Sequence, residues 1–104
     1  MWELYSRILK RDSNYTILTA RNKKEVLDLF NIHDISATVI ELGMPGAIET
    51  IIEVNSKPVV AIGSFPEQER TARGYGADYF VAFRHIDDLS NAVKMATQPK
   101  LERV

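Results

Sequence analysis

The sequence predicts an α/β domain, a parallel sheet of about four strands with helices on both faces. Three observations lead there. Short apolar runs alternate with stretches of helical period along the chain; the runs are apolar at nearly every position, as strands buried on both faces require; and Gly, Pro, Asn or Asp stands between most neighbouring segments. The 104 residues suffice for one core of modest size, so residues 1–104 read as a single domain with a polar tail from about 98.

Leu4, Tyr5, Ile8 and Leu9 recur at helical spacing, with Glu3, Arg7 and Lys10 on the other side, which predicts a short amphipathic helix over 2–10. Asp12, Ser13 and Asn14 end it. Tyr15 to Thr19 is a β-rich run and reads as the first strand; Asn22 with Glu25 three residues on forms a capping box ahead of Val26, Leu27, Leu29 and Phe30. Ser36 to Leu42 reads as the second strand, and the Gly43-Met44-Pro45-Gly46 break precedes a short helix carrying Ile48, Ile51 and Ile52. Pro58 to Gly63 reads as the third strand. Ser64 and Glu67 bracket Pro66 and are expected to cap a polar helix that reaches about Arg73, stopped by Gly74 and Gly76. Asp78 to Phe83 reads as the fourth strand, and the last helix places Ile86, Leu89, Val93 and Ala96 on one face before Pro99.

Composition excludes several classes of function. A net charge of −1 supplies no basic field for nucleic acid, and the absence of cysteine rules out disulfides and thiolate metal sites. The longest apolar run is about six residues, against the roughly 20 that span a bilayer, so a soluble, cytoplasmic protein without membrane contact is expected. His33 and His85 have no acidic residues at ligand spacing, and neither a metal nor a cofactor is expected. In open parallel sheets ligands bind beyond the carboxyl ends of the strands, which directs attention to 19–21, 41–45, 63–65 and 83–85.

Three segments from those regions carry a family resemblance. ATVIELGMPG (37–46), PVVAIGS (58–64) and GADYFVAF (76–83) resemble, in order, the third, fourth and fifth strands of the receiver domain of two-component response regulators. The resemblance runs from Tyr15 to Ala96 and implies a flavodoxin-like fold and a place in signalling or a phosphorelay. It also implies that the family's first strand is missing. The phosphoacceptor position then falls on Glu41, one methylene longer than the aspartate of the family, a displacement of more than about 1 Å that can cost on the order of 100-fold in positioned chemistry. The switch hydroxyl position falls on Gly63 unless Ser64 takes it, the aromatic switch on Phe80, and the lysine on Phe83, with Arg84 beside it. The acidic pair that holds Mg²⁺ in the family has no counterpart.

Each of these residues also has a plainer reading. Glu41 is either a permanent mimic of a phosphorylated aspartate or a carboxylate capping the Gly43 turn, and Ser64 is either a relic of the switch or a helix N-cap. The chain is therefore expected to be no enzyme and to have no catalytic residue, acting as a pseudo-receiver that binds another protein through Tyr75, Tyr79, Phe83 and Arg84. A small flavodoxin-like ligand-binding or enzymatic domain, or a truncated fragment of a larger regulator, are the alternatives. If the missing strand leaves Tyr15–Thr19 and Thr38–Leu42 to pair directly, right-handed crossovers put the three internal helices on one face and leave the terminal helices to cover the other. Trp2, Tyr5, Tyr79 and Phe83 would then lie near the margins of that cover, and a homodimer is expected.

Overall fold

Helical periodicity at one end of the chain and strand periodicity in its middle meet in two apolar layers on either side of one small sheet. The computed structural model describes residues 2–12 and 15–97; the expected polar tail from about 98, and the expectation for the Trp2 side chain, fall outside the described residues. The elements are α1 (Trp2–Asp12), α2 (Lys23–Ile32), β1 (Thr38–Glu41), α3 (Ala47–Val54), β2 (Val59–Gly63), α4 (Glu67–Tyr75), β3 (Tyr79–Ala82), a 3₁₀ segment (Phe83–Asp88) and α5 (Leu89–Thr97). The sheet is parallel with order β1-β2-β3; Thr38 lies beside Val59 and Glu41 beside Ile62, while Val60 lies beside Tyr79 and Gly63 beside Ala82.

Because strand side chains alternate between faces, β2 is buried along its whole length and feeds two cores. Val60 and Ile62 join Val81 beneath α1 and α5, packing against Tyr5, Ile8, Leu9, Leu89 and Val93. Val59 and Ala61 join Ile40 on the other face, against Ile51 and Val54 of α3, Ala72 of α4 and the half-buried Val26, Leu27 and Phe30 of α2. Burying a side chain such as Ile51 or Leu89 completely contributes about 1.5–3 kcal/mol each. The three internal helices therefore share one face and the terminal helices the other, as right-handed crossovers dictate. Thr50 is a fully buried polar residue, and its hydroxyl is satisfied by donating to the Gly46 carbonyl at 2.7 Å.

Local signals account for most boundaries. Asn22 Oδ1 accepts from the Glu25 N–H at 3.0 Å and starts α2, while Glu25 Oε1 accepts from the Arg21 N–H at 3.0 Å. Gly76, at φ 122°, ends α4 and donates to Arg73 and Ala72 carbonyls, a conformation that disfavours any side chain. Gly74 does not stop that helix, contrary to the sequence expectation; it lies inside it. The Asp of the Gly-Ala-Asp motif is structural: Asp78 Oδ2 accepts from the Val59 N–H at 2.9 Å, closing the start of β2, and the Asp78 N–H donates to the Val59 carbonyl at 2.8 Å.

Four expectations are corrected. Tyr15–Thr19 is not a strand, so the sheet has three strands rather than about four. Tyr15 and Ile17 pack against the α1–α5 core, but no backbone bond among the described residues ties 15–20 to β1, and the expected direct pairing is absent. A cavity of about 720 Å³ lies between that segment and β1. A β-rich run becomes a strand only when a neighbouring edge is within hydrogen-bonding reach. Tyr5 is no margin residue: it is 3% exposed, inside the core. Ser64 is not the cap of α4, which begins after Pro66 with no side-chain cap; Gln68 reaches back from the first turn and accepts from the Ser64 and Phe65 N–H groups ahead of the helix. Phe83 leaves the fourth predicted strand and opens the 3₁₀ segment, which is kinked at His85 (φ −117°, ψ 36°).

Candidate functional site at the carboxyl ends of the strands

β1 ends at Glu41, where the chain turns at once: the Met44 N–H donates to the Glu41 carbonyl at 2.9 Å and the Ala47 N–H to the Met44 carbonyl at 3.1 Å. Alternation puts the Glu41 side chain on the α1 side of the sheet, together with Val39. There it meets Tyr5. Burial, the negative charge of Glu41 and a hydrogen bond to its carboxylate together push the Tyr5 phenol up from 10.0 to about 12. Glu41 thus lies beside a buried phenol whose proton its charge helps to hold, and the capping of the Gly43 amide expected for it is not seen among the described bonds.

The end of β2 is closed by its neighbours. A Cβ on Gly63 would lie 2.6 Å from Gln68 Oε1 and 2.9 Å from the Phe80 ring, so a larger residue there requires the Gln68 carboxamide and the Phe80 ring to move. Gln68 is held there by accepting from the Ser64 N–H at 2.8 Å and the Phe65 N–H at 3.0 Å. The hydroxyl position that the resemblance assigns to Gly63 is therefore filled by a carboxamide and an aromatic ring. Ser64 is exposed and offers no hydroxyl to the strand ends in its place.

At the end of β3, Tyr79 and Phe83 are half-buried against the α1–α5 core, while Arg84 is exposed. Tyr75 is 46% exposed at the last turn of α4. A shallow cavity of about 240 Å³ between α4 and β3 brings Arg84 together with Glu69, Phe80 and His85. Of the four residues expected on an interaction surface, two are thus anchored in the core and two stand free on the surface.

The residues at the strand ends do not fit a Mg²⁺ site of the kind the receiver fold uses. Glu41 lies beside the buried Tyr5 phenol, and among the described residues no three His, Asp or Glu side chains converge at metal-binding distance. Two residues central to the site escape sequence reasoning. Tyr5 shows only as part of an amphipathic stripe. Gln68 carries a usable signal, a glutamine in the first turn that can reach back to the preceding amides, but Glu67 one position earlier satisfies the same pattern.

No protein-family model matches the chain, and no curated protein matches it in sequence. Among solved structures it is similar to the receiver domain of the Francisella response regulator 1452, with a TM-score of 0.77 and 20% identity over 92% of this chain and 88% of that one. The chain has the receiver fold, a flavodoxin-like open parallel sheet. At that identity the likeness is one of architecture.

Proposed function

We propose that the protein is a non-catalytic pseudo-receiver, a cytoplasmic signalling module that works by contact with another protein and takes up no phosphoryl group at Glu41. The observation that carries this reading is the closed end of β2, where Gln68 Oε1 and the Phe80 ring stand in the space that a phosphoryl-sensing hydroxyl side chain needs. The position of the Glu41 carboxylate beside the buried Tyr5 phenol and the placement of Phe83, an apolar side chain packed against the core, at the lysine position support it. Arg84, exposed beyond the end of β3 beside Glu69 and His85, and Tyr75, exposed at the end of α4, are the residues offered to a partner, which includes a second copy of the chain. Incubation with acetyl phosphate and Mg²⁺ followed by intact-mass measurement tests the reading. An unchanged mass is expected; a gain of one phosphoryl group on any residue overturns it.

A further inference from the structure

The edge of the sheet at β1 carries a second surface, which shares Tyr5 and Glu41 with the strand ends. In a parallel ladder one residue bonds to one neighbouring strand and the next residue turns its N–H and C=O the other way. Thr38 N–H donates to the Pro58 carbonyl at 2.9 Å and Leu42 N–H to the Ile62 carbonyl at 2.8 Å, so Thr38, Ile40 and Leu42 serve β2. Val39 N–H, Val39 C=O and Glu41 N–H point away from it. Among the described residues none of these three groups has a hydrogen-bond partner.

They face the cavity of about 720 Å³, whose far wall is the Tyr15–Leu18 segment, itself without backbone bonds among the described residues. Its two faces are apolar: Tyr5, Leu9 and Val93 line one, and Val26, Leu29 and Phe30 the other. Charged and polar side chains stand at its ends, Arg21 and Glu41 toward one and His33 and Asp34 toward the other. The helix above it, α2, has no fully buried residue, unlike α3, because nothing yet fills the space beneath.

We propose that this slot docks an extended segment of a partner protein, about five residues long, which adds to β1 as a fourth strand. The unpaired backbone groups on both walls select a polypeptide over a small apolar ligand, which would leave them unsatisfied. Apolar lining on both faces requires side chains such as Val and Ile at every central position, with polar residues confined to the ends. At about 3.3 Å per residue, the length follows from that of β1. A second copy of the chain is a poor occupant, since its β-rich runs are already in its own sheet or form the wall of its own slot.

The test uses heptapeptides of the form Lys-Xaa₅-Lys, with Xaa drawn from Val, Ile, Leu, Thr and Tyr, titrated into the full chain and read by NMR amide exchange. Binding members of the library are expected to slow exchange at Val39 and Glu41 by about tenfold or more, with smaller effects at the Thr38 and Leu42 amides already bonded to β2. Val39→Pro removes the donor facing the slot while sparing every bond to β2, and should weaken binding by about tenfold or more. Methylating alternate peptide nitrogens makes the same cut from the other side, should the Pro variant fail to fold. If no member protects the two amides at millimolar concentration, the proposal falls. It falls equally if N-methylation at every position leaves affinity unchanged, since the slot would then be holding apolar side chains rather than a strand. Neither result bears on phosphoryl uptake at Glu41.

Discussion

At the scale of single residues, two contacts decide what the strand ends can do. The first is the closure over Gly63. Gly63→Ser forces a Cβ against Gln68 Oε1 and Phe80 and is expected to destabilise the fold by about 1–3 kcal/mol in urea or thermal unfolding. Gln68→Ala in the same chain opens part of that space, so the double variant should lose less than the sum of the singles, with a coupling of about 0.5–3 kcal/mol. Simple additivity, with a Gly63→Ser cost below about 0.5 kcal/mol, would show that a hydroxyl fits there and that the blocked switch is no obstacle. The second contact is Tyr5 on Glu41. Below pH 10 both folded and unfolded chains keep the phenol protonated; between 10 and about 12 the folded chain still holds the proton and the unfolded chain releases it. The unfolded state then binds fewer protons, so this group subtracts stability as pH rises through that window. Tyr5→Phe has no phenol to titrate, so its stability relative to the parent chain is expected to rise between pH 10 and about 12. Denaturant titrations at pH 7 and in alkali measure it; a difference that stays constant would place the phenol in contact with water.

At the scale of elements, those whose formation rests on local chemistry are the ones legible in the sequence. The Asn22–Glu25 box, the positive φ of Gly76 and the apolar stripe of α5 each act within a few residues, and the helices they delimit match expectation. The Pro58–Gly63 run is apolar throughout and becomes the central strand β2, buried on both faces. Tyr15–Thr19 is also rich in strand-forming residues and is not a strand, because its status depends on whether another backbone bonds to it, and none does among the described residues. Ser64 fails as a cap for a related reason. The N-cap position of α4 falls on Pro66, two residues later than Ser64, and the Ser64 and Phe65 amides ahead of the helix are taken by Gln68, which reaches back over Gly63.

At the scale of the whole molecule, the sheet has two open edges of different kinds. β1 borders the slot, while β3 lies beside α4, whose ends carry the exposed aromatic residues Phe65 (62%) and Tyr75 (46%). Exposed apolar groups at a sheet edge are where copies of a chain meet, and a homodimer is the expected state at micromolar concentration. Light scattering on eluting protein should return the mass of two chains, and a mass of one chain removes the dimer from the proposed function. The sequence by itself determined the α/β class and the assignment of internal and terminal helices to opposite faces, because periodicity, capping and the handedness of crossovers can be read from residue order. Only the tertiary structure decided that the sheet stops at three strands, that Gln68 and Phe80 close over Gly63, that Tyr5 lies beside Glu41, and that a slot lies along β1. Each of those depends on the approach of segments remote in the chain or on the packing of particular side chains, and hydrogen bonding and packing act on that distance, which residue order does not record.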